Sequence, residues 1–516
     1  MQYGIHPDPT SPELVVGIIG CGIMGRGIAQ IAVLAGAQVR LSDSRAGVAA
    51  TASAELRTTF GKLVEKGKLG AAQAAAAGER LQACDALEQL AGCHLIVEAI
   101  IEDLAAKKAL FGTLEGIVGP DTILASNTSS LSVTAIAAGM QHPERVAGFH
   151  FFNPVPLMKI VEAIGGLLTA PPVVDYLIAL GRHWGHTTVR AKDTPGFIVN
   201  HAGRGYGTEG MRLLAEEVTT IATLDKILRD TAGFRLGPCE LMDLTGLDVS
   251  HPVMESIYQQ YYEEPRFRPQ GLTRQMLTAG LLGKKTGHGF YRYERDGKKQ
   301  AQAAHEDPAP ASVRPGSVWL SRARPQLAER IAGIVLDAGI VLESGARPSD
   351  TALCIVTPLG EDASTCCVRE ELDGARTAGV ETLLDLSRRR VVMSTPATTA
   401  HYCEMARGLL GADGTAVSVI RDSAGLVTQR VVAHIVNIAC EIAQQGIADP
   451  ADIDRAVTLG LGYPLGPLQW GDQIGAGTVL TILKNLQEQT GDARYRPSPW
   501  LQRRALLGLS LHHKEI

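Results

Sequence analysis

The run Leu14-Val-Val-Gly-Ile-Ile-Gly20-Cys-Gly22-Ile-Met-Gly25-Arg-Gly27 indicates the fold class of this 516-residue chain. Its first six residues predict a short β-strand, and its glycines predict a tight loop after that strand. Residues 28–36 then have helical periodicity and end on a glycine suited to a helix C-cap. A second strand-like run over residues 38–42 leads to Asp43. Strand, loop, helix and strand in this order predict a βαβ unit of a parallel sheet.

The spacing of the glycines in this loop matches the dinucleotide-binding fingerprint. Gly20 permits the tight turn, Gly22 lets the backbone approach a pyrophosphate, and Gly25 lets the helix pack closely on the strand. The alternative is a tight strand-to-helix turn that binds no ligand. Because the flanking strands and the terminal acid are also present, we expect a dinucleotide here. The loop residues expected to contact it are Gly20, Gly22, Ile23, Met24 and Gly25.

The acid after the second strand indicates which dinucleotide binds. Asp43 would accept hydrogen bonds from the adenosine ribose hydroxyls and repel a 2′-phosphate, which favours NAD over NADP. Arg45 is the discordant residue, since a nearby arginine can accommodate that phosphate. NAD is therefore the predicted cofactor, and no metal site is predicted.

Two later strand-like runs end in polar residues. Leu95-Ile-Val-Glu98 is the first, and Thr122-Ile-Leu-Ala leads into Ser126-Asn127. Ligands of an open parallel sheet lie beyond the carboxyl ends of its strands, so we expect Glu98, Glu102 and Asn127 on the cofactor side. Lys107, on the helix that follows Glu102, is either a cofactor contact or part of a solvated helix face.

A histidine and a carboxylate lie in positions suited to alcohol oxidation. His150 follows a strand-like run and opens the rigid turn Asn153-Pro-Val-Pro156. The prolines rule out one continuous helix, so the chain must turn back, and Glu162 can then meet His150. Histidine suits removal of a hydroxyl proton, and a buried carboxylate would fix its tautomer. The alternatives are a hydrogen-bonded core histidine and an exposed strand-end acid.

Four motifs in this order resemble the signatures of the (S)-3-hydroxyacyl-CoA dehydrogenase family. They are the loop Gly20–Gly25, Ser126-Asn-Thr-Ser-Ser130, His150-Phe-Phe-Asn-Pro-Val-Pro156 and Asp193-Thr-Pro-Gly-Phe-Ile-Val-Asn200, and Lys284–Tyr291 continues the likeness. The resemblance covers residues 14–294. It implies a Rossmann domain that binds NAD, followed by a helical domain.

The resemblance also implies roles for particular residues. His150 would be the catalytic base and Glu162 its partner, while Ser129 and Asn200 would hydrogen-bond the reacting oxygen of the substrate. Asn153 would support the cofactor site. One departure is His201, where the family usually has arginine.

Composition excludes several other classes of protein. Apolar residues make up 45% of the chain and charged residues 20%, which fits a globular protein. The net charge of −5 provides no basic footprint for nucleic acid or an anionic membrane. No apolar run has the length of a membrane span, and residues 1–12 suggest a flexible lead-in, not a signal peptide. The nine scattered cysteines are expected to be free thiols, and the predicted location is the cytoplasm.

The second half of the chain contains an internal repeat. Residues 421–429 align with residues 192–200 at a spacing of 229 positions, and the same spacing aligns Asp243 with Asp472. We infer a duplicated helical domain in which Gln429 replaces Asn200. Strand-like runs between residues 351 and 393 predict a reduced Rossmann-like layer. It has no GxGxxG and no counterpart of His150-Phe-Phe-Asn-Pro, so we predict one active site and a non-catalytic second half.

The predicted architecture is α/β with an N-terminal Rossmann NAD-binding domain, an all-α substrate or dimerisation domain, a degenerate Rossmann-like segment and a second all-α domain. The predicted segments are the Rossmann domain at 1–190, the first helical domain at 191–294, a linker and connecting helix at 295–345, the degenerate segment at 346–420 and the duplicate helical domain at 421–516.

The resemblance implies NAD-dependent oxidation of an (S)-3-hydroxyacyl-CoA to the 3-ketoacyl-CoA. The second helical domain and residues 495–507 resemble the long bacterial form, the 3-hydroxyadipyl-CoA dehydrogenases of phenylacetate breakdown, and 3-hydroxybutyryl-CoA is another candidate substrate. The alternatives are a dehydrogenase of a free hydroxy or sugar acid, of the L-gulonate type, and a non-catalytic NAD-binding structural protein. An acyl-CoA is the expected partner, with no nucleic acid or membrane. The chain would be a homodimer or a monomer with an internal pseudo-dimer contact.

Overall fold

A computed structural model of the protein describes residues 7–301 and 311–515. These residues form two compact units. One comprises the chain up to His201 together with Gln445–Leu461, and the other comprises Ala202–Gln444 and the chain from Gly462 onward. Residues 1–6 of the predicted lead-in and residues 302–310 of the predicted linker lie outside the described residues.

The first unit is built on an eight-stranded sheet. Its strands are β1 (Val15–Ile19), β2 (Gln38–Ser42), β3 (Leu81–Cys84), β4 (Leu95–Glu98), β5 (Ile123–Ser126), β6 (Val146–Phe151), β7 (Ile160–Gly165) and β8 (Thr187–Lys192). The strand order is β3-β2-β1-β4-β5-β6-β7-β8. Neighbouring strands are parallel except β6 and β7, which are antiparallel. The predicted Rossmann layer is therefore present, and the antiparallel pair brings His150 opposite Glu162.

Helices complete this unit because the central strands are apolar on both faces. Every residue of β4, β5 and β6 is buried, as expected for parallel strands covered on both sides. The helices that follow the strands are α1 (Ile23–Leu34), α2 (Val48–Glu65), α3 (Ala71–Glu79), α4 (Leu104–Glu115), α5 (Val133–Ala137) and α6 (Pro171–His183). Short 3-10 turns occupy Leu87–Leu90 and Pro143–Arg145.

The remaining helices include those of the predicted helical domains and those that flank a second sheet. They are α7 (Val199–Ala202), α8 (Arg204–Ala215), α9 (Ile221–Ala232), α10 (Pro238–Thr245), α11 (Leu247–Gln260), α12 (Gly271–Thr278), α13 (Pro325–Asp337), α14 (Ala363–Arg369), α15 (Ala400–Leu410), α16 (Thr428–Gln444), α17 (Pro450–Leu461), α18 (Pro467–Ile474), α19 (Ala476–Thr490) and α20 (Pro499–Leu507). Short 3-10 turns occupy Pro265–Phe267, Lys284–Thr286, Gly374–Arg376 and Ala493–Tyr495.

The second sheet has six strands and lies in the second unit. They are β9 (Ser317–Leu320), β10 (Val341–Leu342), β11 (Leu353–Val356), β12 (Thr377–Val380), β13 (Arg389–Ser394) and β14 (Ala416–Ile420), in the order β10-β9-β11-β12-β13-β14. Only β12 and β13 are antiparallel. This sheet is the second, degenerate Rossmann-like layer.

The second sheet begins earlier than the sequence interpretation placed it. Residues 295–345 were assigned to a linker and a connecting helix, whereas the structure includes strands β9 and β10 within that range. Strand β9 is four residues long, and its order comes from pairing with β11. That pairing is long-range, so the local pattern does not reveal it.

The internal repeat extends to the boundaries of individual helices. Helices α9 and α10 have the same lengths as α17 and α18, at the spacing of the repeat. In the first unit α17 packs against β7 and β8, and the Lys192 N–H donates to the carbonyl of Ile447. In the second unit α9 packs against β13. Part of the predicted duplicate domain at 421–516 therefore belongs to the first unit.

All nine cysteines are free thiols, as predicted. Among the described residues, no helix is both long enough and apolar enough to cross a membrane.

Candidate active site

The glycine loop has the geometry that its spacing predicted. Gly20 has φ +96°, and a Cβ atom there would lie 2.5 Å from the carbonyl oxygen of Ala99. A Cβ at Gly25 would lie 1.8 Å from the carbonyl oxygen of Gly20, so helix α1 can pack on β1 only with glycine at that position. A Cβ at Gly22 would point into open space, which leaves its backbone approachable. The loop therefore fits a pyrophosphate at the start of α1.

Asp43 lies at the end of β2, against this loop. Its Oδ2 accepts the N–H of Cys21 at 2.9 Å, and its Oδ1 accepts the N–H of Arg45 at 3.1 Å. Burial acts to raise the pKa of Asp43, but these hydrogen bonds and the Arg45 guanidinium lower it below its usual value. The Arg45 side chain is 73% exposed and forms an ion pair with Asp43. An ionised acid at this position suits an adenosine ribose and disfavours an added 2′-phosphate.

The other loop residues have different surroundings. Met24 packs against the hydrophobic core, whereas Ile23 is exposed. Ile23 and Asn153 line one cavity of about 700 Å³ between α1, α2 and the turn at residues 153–157. Asn127 lies at the end of β5, where its Oδ1 accepts the N–H of Phe151 at 2.8 Å.

A buried ion cluster connects β4, α4 and the loop after β5. Lys107 is 1% exposed, and its Nζ lies 2.6 Å from Glu98 Oε1 and 3.4 Å from Glu102 Oε2. The solvated-face interpretation of Lys107 is therefore wrong, because burial of an ammonium group requires such partners. Sequence reasoning expected Glu98 on the cofactor side but gave it no role. The feature of the sequence that could have indicated a role for Glu98 is an acid at the end of an otherwise apolar strand.

His150 and Glu162 form a buried pair. His150 Nδ1 lies 2.6 Å from Glu162 Oε2, and the two residues are directly opposite in the β6–β7 register. Glu162 Oε1 accepts the N–H groups of Ile198 and Val199, both at 2.9 Å. A carboxylate only accepts hydrogen bonds, so Nδ1 donates, and in the neutral imidazole Nε2 is then the nitrogen without a proton. The geometry thus presents a basic ring nitrogen.

Aromatic rings hold the imidazole in position. The centroid of the His150 ring lies 4.3 Å from that of Phe152 and 5.8 Å from that of Phe197. Phe197 has φ +49°, in the turn that presents the N–H groups of the next two residues to Glu162. Glu162 therefore connects the histidine to the turn that also carries Asn200.

Ser129 and Asn200 are brought together beside this pair. Asn200 Nδ2 donates to the Ser129 carbonyl oxygen at 3.2 Å. Asp193, at the start of the Asn200 motif, accepts the N–H groups of Val133 and Thr134 at 2.9 and 2.7 Å. This contact joins the Ser129 loop to the Asn200 turn, and sequence reasoning did not assign Asp193 a role.

The second sheet places different residues at the equivalent positions. Strands β11 to β14 repeat the pairing pattern of β5 to β8, and this register puts Glu381 where the first sheet has His150 and Val391 where it has Glu162. Gln429 Nε2 donates to Glu381 Oε1 at 3.0 Å, and Gln429 Oε1 accepts the Gly360 N–H at 2.9 Å. The Gln429 amide is therefore fully engaged inside the protein. Burial raises the pKa of Glu381, although the Gln429 hydrogen bond opposes that shift.

Comparison with protein families matches most of the chain. Residues 15–194 match the model described as the NAD binding domain of 3-hydroxyacyl-CoA dehydrogenase. Residues 196–293 and, separately, 425–512 match the model described as the C-terminal domain of the same enzyme. The double match of the second model agrees with the internal repeat.

Some relatives align over nearly the whole chain and others over about half of it. The chain is 38% identical over 496 residues to a 3-hydroxyadipyl-CoA dehydrogenase of Escherichia coli strain K12, an alignment that covers 95% of this chain and 97% of the relative. It is 38% identical over 277 residues to a probable 3-hydroxybutyryl-CoA dehydrogenase of Bacillus subtilis, covering 54% of this chain and 96% of that protein. A crystal structure of 3-hydroxybutyryl-CoA dehydrogenase from Escherichia coli K12 superposes with a TM-score of 0.83 at 35% identity, over 96% of this chain and 98% of the other.

Proposed function

The chain belongs to the 3-hydroxyacyl-CoA dehydrogenase family, and on that premise we propose that it oxidises the C3 hydroxyl of an (S)-3-hydroxyacyl-CoA with NAD. The observation that carries this proposal is the buried His150–Glu162 pair, which lies in the same unit as the dinucleotide loop. NAD, when bound, supplies the hydride acceptor. The residues of the glycine loop with Asp43, Glu102, Lys107, Asn127 and Asn153 are proposed to hold it.

His150 is proposed to be the base of this reaction. Its Nδ1 donates to Glu162, so Nε2 can take the hydroxyl proton as the C3–H bond breaks. Glu162 then stabilises the imidazolium that forms, because its carboxylate lies 2.6 Å from the ring. The pair therefore has the roles that alcohol oxidation requires.

Ser129 and Asn200 are proposed to bind the reacting oxygen. The Asn200 amide can donate a hydrogen bond, and the Ser129 hydroxyl can donate when it turns from Glu102 to the substrate. Their loops are joined directly, since Asn200 donates to the Ser129 carbonyl. Donors held in fixed positions stabilise negative charge that develops on the oxygen.

The cavity beside Asn153 favours a CoA ester over a free hydroxy acid. Its volume of about 700 Å³ far exceeds what a short hydroxy acid would fill. Lys62 lines it together with the exposed apolar side chains of Ile23 and Leu157, whereas Arg26, at the same wall, is paired with Glu55. Cationic and apolar groups in one groove suit a phosphorylated nucleotide with a long organic arm.

We infer two candidate acyl groups from the relatives. The match over 95% of the chain to a 3-hydroxyadipyl-CoA dehydrogenase favours 3-hydroxyadipyl-CoA, as would occur in phenylacetate breakdown. The structural match to a 3-hydroxybutyryl-CoA dehydrogenase favours 3-hydroxybutyryl-CoA as the second candidate. We further propose a cytoplasmic location.

The test is formation of the reduced cofactor, NADH or NADPH, with 3-hydroxyadipyl-CoA, 3-hydroxybutyryl-CoA, free 3-hydroxybutyrate and L-gulonate, each with NAD and with NADP. We expect turnover with the CoA esters and NAD, and a higher kcat/KM for the adipyl ester. Turnover confined to a free acid would contradict the CoA assignment. Absence of turnover with every substrate would favour a structural role.

We also propose that the chain acts as a monomer with an internal pseudo-dimer contact. Helices α8 and α16 are equivalent in the repeat and pack together within the second unit, where Gly205 approaches Ile435. Light scattering should then give the 54.7 kDa mass of one chain. A value twice as large would contradict this proposal.

A further inference from the structure

Glu98 is a buried carboxylate for which the proposed reaction has no direct use. It ends β4 and is completely buried. Its Oε1 accepts from Lys107 Nζ at 2.6 Å and from the Ile100 N–H at 2.8 Å. Its Oε2 accepts from Ser126 Oγ at 2.7 Å. Both carboxylate oxygens therefore accept hydrogen bonds, and their donors lie near the glycine loop and the loop that carries Ser129.

Lys107 connects Glu98 to a second carboxylate, that of Glu102. Its ammonium lies between Glu98 and Glu102, at 2.6 and 3.4 Å. Glu98 is fully buried, whereas the Glu102 side chain is 37% exposed. Glu98, the more buried acid, holds the Lys107 ammonium in the interior, and the ammonium in turn attracts Glu102.

Glu102 organises the loop that carries Ser129. Its Oε1 accepts the Ser129 N–H at 2.8 Å and the Ser129 hydroxyl at 3.2 Å. The same oxygen accepts the Thr128 hydroxyl at 2.7 Å and the Ser130 N–H at 3.2 Å. Burial acts to raise the pKa of Glu102, but the Lys107 charge and these hydrogen bonds lower it below its usual value. One carboxylate oxygen thus fixes three consecutive residues.

We propose that Glu98 is a positioning residue for Ser129, acting through Lys107 and Glu102 at one side of the loop and through Ser126 at its base. This rests on the proposed function, in which the Ser129 hydroxyl binds the reacting oxygen. Without the Glu98 charge, the ammonium would move toward Glu102 and draw that carboxylate away from the loop. The Ser129 hydroxyl would then lose its fixed orientation, while His150 and Glu162 keep theirs.

A double-mutant cycle tests the coupling between the two residues. Glu98→Gln keeps the shape of the side chain and removes its charge, and it should lower kcat about tenfold to a hundredfold at saturating NAD, with a smaller change in the KM of the acyl-CoA. In a Ser129→Ala background the same substitution should change kcat less than about threefold, because there is no hydroxyl left to position. An equal factor in both backgrounds would overturn the proposal.

Hydrogen exchange provides a readout that does not depend on activity. The amides of Ser129 and Ser130 should exchange about tenfold faster in Glu98→Gln than in the parent protein, because Glu102 no longer accepts from them in a fixed position. Glu115→Gln is the matched control, since Glu115 ends α4, the helix that carries Lys107, and accepts the N–H groups of Gln141 and His142. It should leave both amides and kcat unchanged. Unchanged exchange in Glu98→Gln would overturn the proposal.

A second variant tests the proposal in case Glu98→Gln does not fold. Glu98→Gln with Lys107→Met removes both members of the buried pair, which costs less stability than leaving one charge alone. The exchange at Ser129 and Ser130 should again rise, and retained protection would overturn the proposal. If the parent protein oxidises no 3-hydroxyacyl-CoA, the proposed function fails, while the exchange experiment still decides the role of Glu98.

Discussion

His150 and Glu162 show how one hydrogen bond determines what a residue can do. The two side chains are opposite neighbours on antiparallel strands, a position in which side chains are close enough to interact directly. Glu162 Oε1 is held by two backbone N–H groups, so the other oxygen has one remaining orientation, toward the imidazole. The backbone therefore fixes the tautomer of His150.

At this scale the first prediction concerns the base and its partner. His150→Ala should lower kcat by about two to four orders of magnitude, because no other group in the site takes the hydroxyl proton. Glu162→Gln should lower kcat by about two orders of magnitude or more with little change in KM, because an amide donor facing Nδ1 would move the proton to Nε2. Steady-state kinetics at saturating NAD measure both effects.

The control for these variants is His142→Ala, a change at an exposed histidine on the surface of the same unit. It should retain full turnover. Near-normal turnover in His150→Ala would contradict the proposed base, and near-normal turnover in Glu162→Gln would reduce Glu162 to a structural residue.

The sequence was sufficient to find the residues with distinctive chemistry but not those that position them. The prolines after His150 predicted that Glu162 returns toward it, and the register supports that expectation. Glu98 and Asp193 are ordinary acids at the ends of predicted elements. Their importance comes from donors contributed by other elements, and only the three-dimensional arrangement identifies those donors.

At the scale of elements, the repeat explains why the second half retains the fold and not the site. Helix boundaries keep the spacing of the repeat, whereas β11 and β12 are displaced from it by small insertions. Because of this shift, the constant spacing of the repeat does not align Glu381 with His150, although the two residues take equivalent positions in their sheets. The helical copies repeat without gaps and are visible as a constant spacing in the sequence, whereas the strand counterparts are shifted by insertions and are not.

The second prediction compares equivalent amides in the two copies. Asn200→Ala should lower kcat about a hundredfold, since it removes a donor to the reacting oxygen. Gln429→Ala should leave kcat unchanged and cost about 1–3 kcal/mol of stability, because the Gly360 N–H and Glu381 would lose a buried partner. Kinetics and denaturant unfolding of both variants provide the comparison. A loss of turnover in Gln429→Ala equal to that in Asn200→Ala would mean that the second half takes part in catalysis.

At the scale of the whole molecule, the predicted layers are present, and the sequence did not reveal how segments are distributed between units. The two sheets and the two helical copies follow from periodicity and repetition. The sequence does not show that Gln445–Leu461 belongs to the first unit. That placement depends on contacts with β7 and β8, two strands that lie more than two hundred residues earlier in the chain. Short strands β9 and β10 were missed for the same reason, since long-range pairing orders them.

A buried charge network lies between the two helical copies in the second unit. Glu209 accepts from Arg430 Nε at 2.5 Å and from Arg494 at 3.0 Å, and Tyr495 donates to it at 2.5 Å. His434 is completely buried beside it, and its Nε2 lies 3.2 Å from the carbonyl oxygen of Arg266. Burial lowers the pKa of His434 to about 4, with the Arg494 charge acting in the same direction and Glu209 opposing it.

The third prediction follows from that lowered pKa. An unfolded histidine binds a proton near pH 6.5, whereas folded His434 does so only near pH 4, so the unfolded state takes up more protons between these values. Stability should therefore be lost as the pH falls through this window, by about 3 kcal/mol from this group alone. His434→Gln keeps a donor for the Arg266 carbonyl and cannot titrate, so its free energy of unfolding should fall less from pH 7 to pH 4. Denaturant unfolding at four pH values measures the difference, with His142→Gln as the exposed control. Parallel curves for the parent protein and His434→Gln would show that another group causes the acid sensitivity.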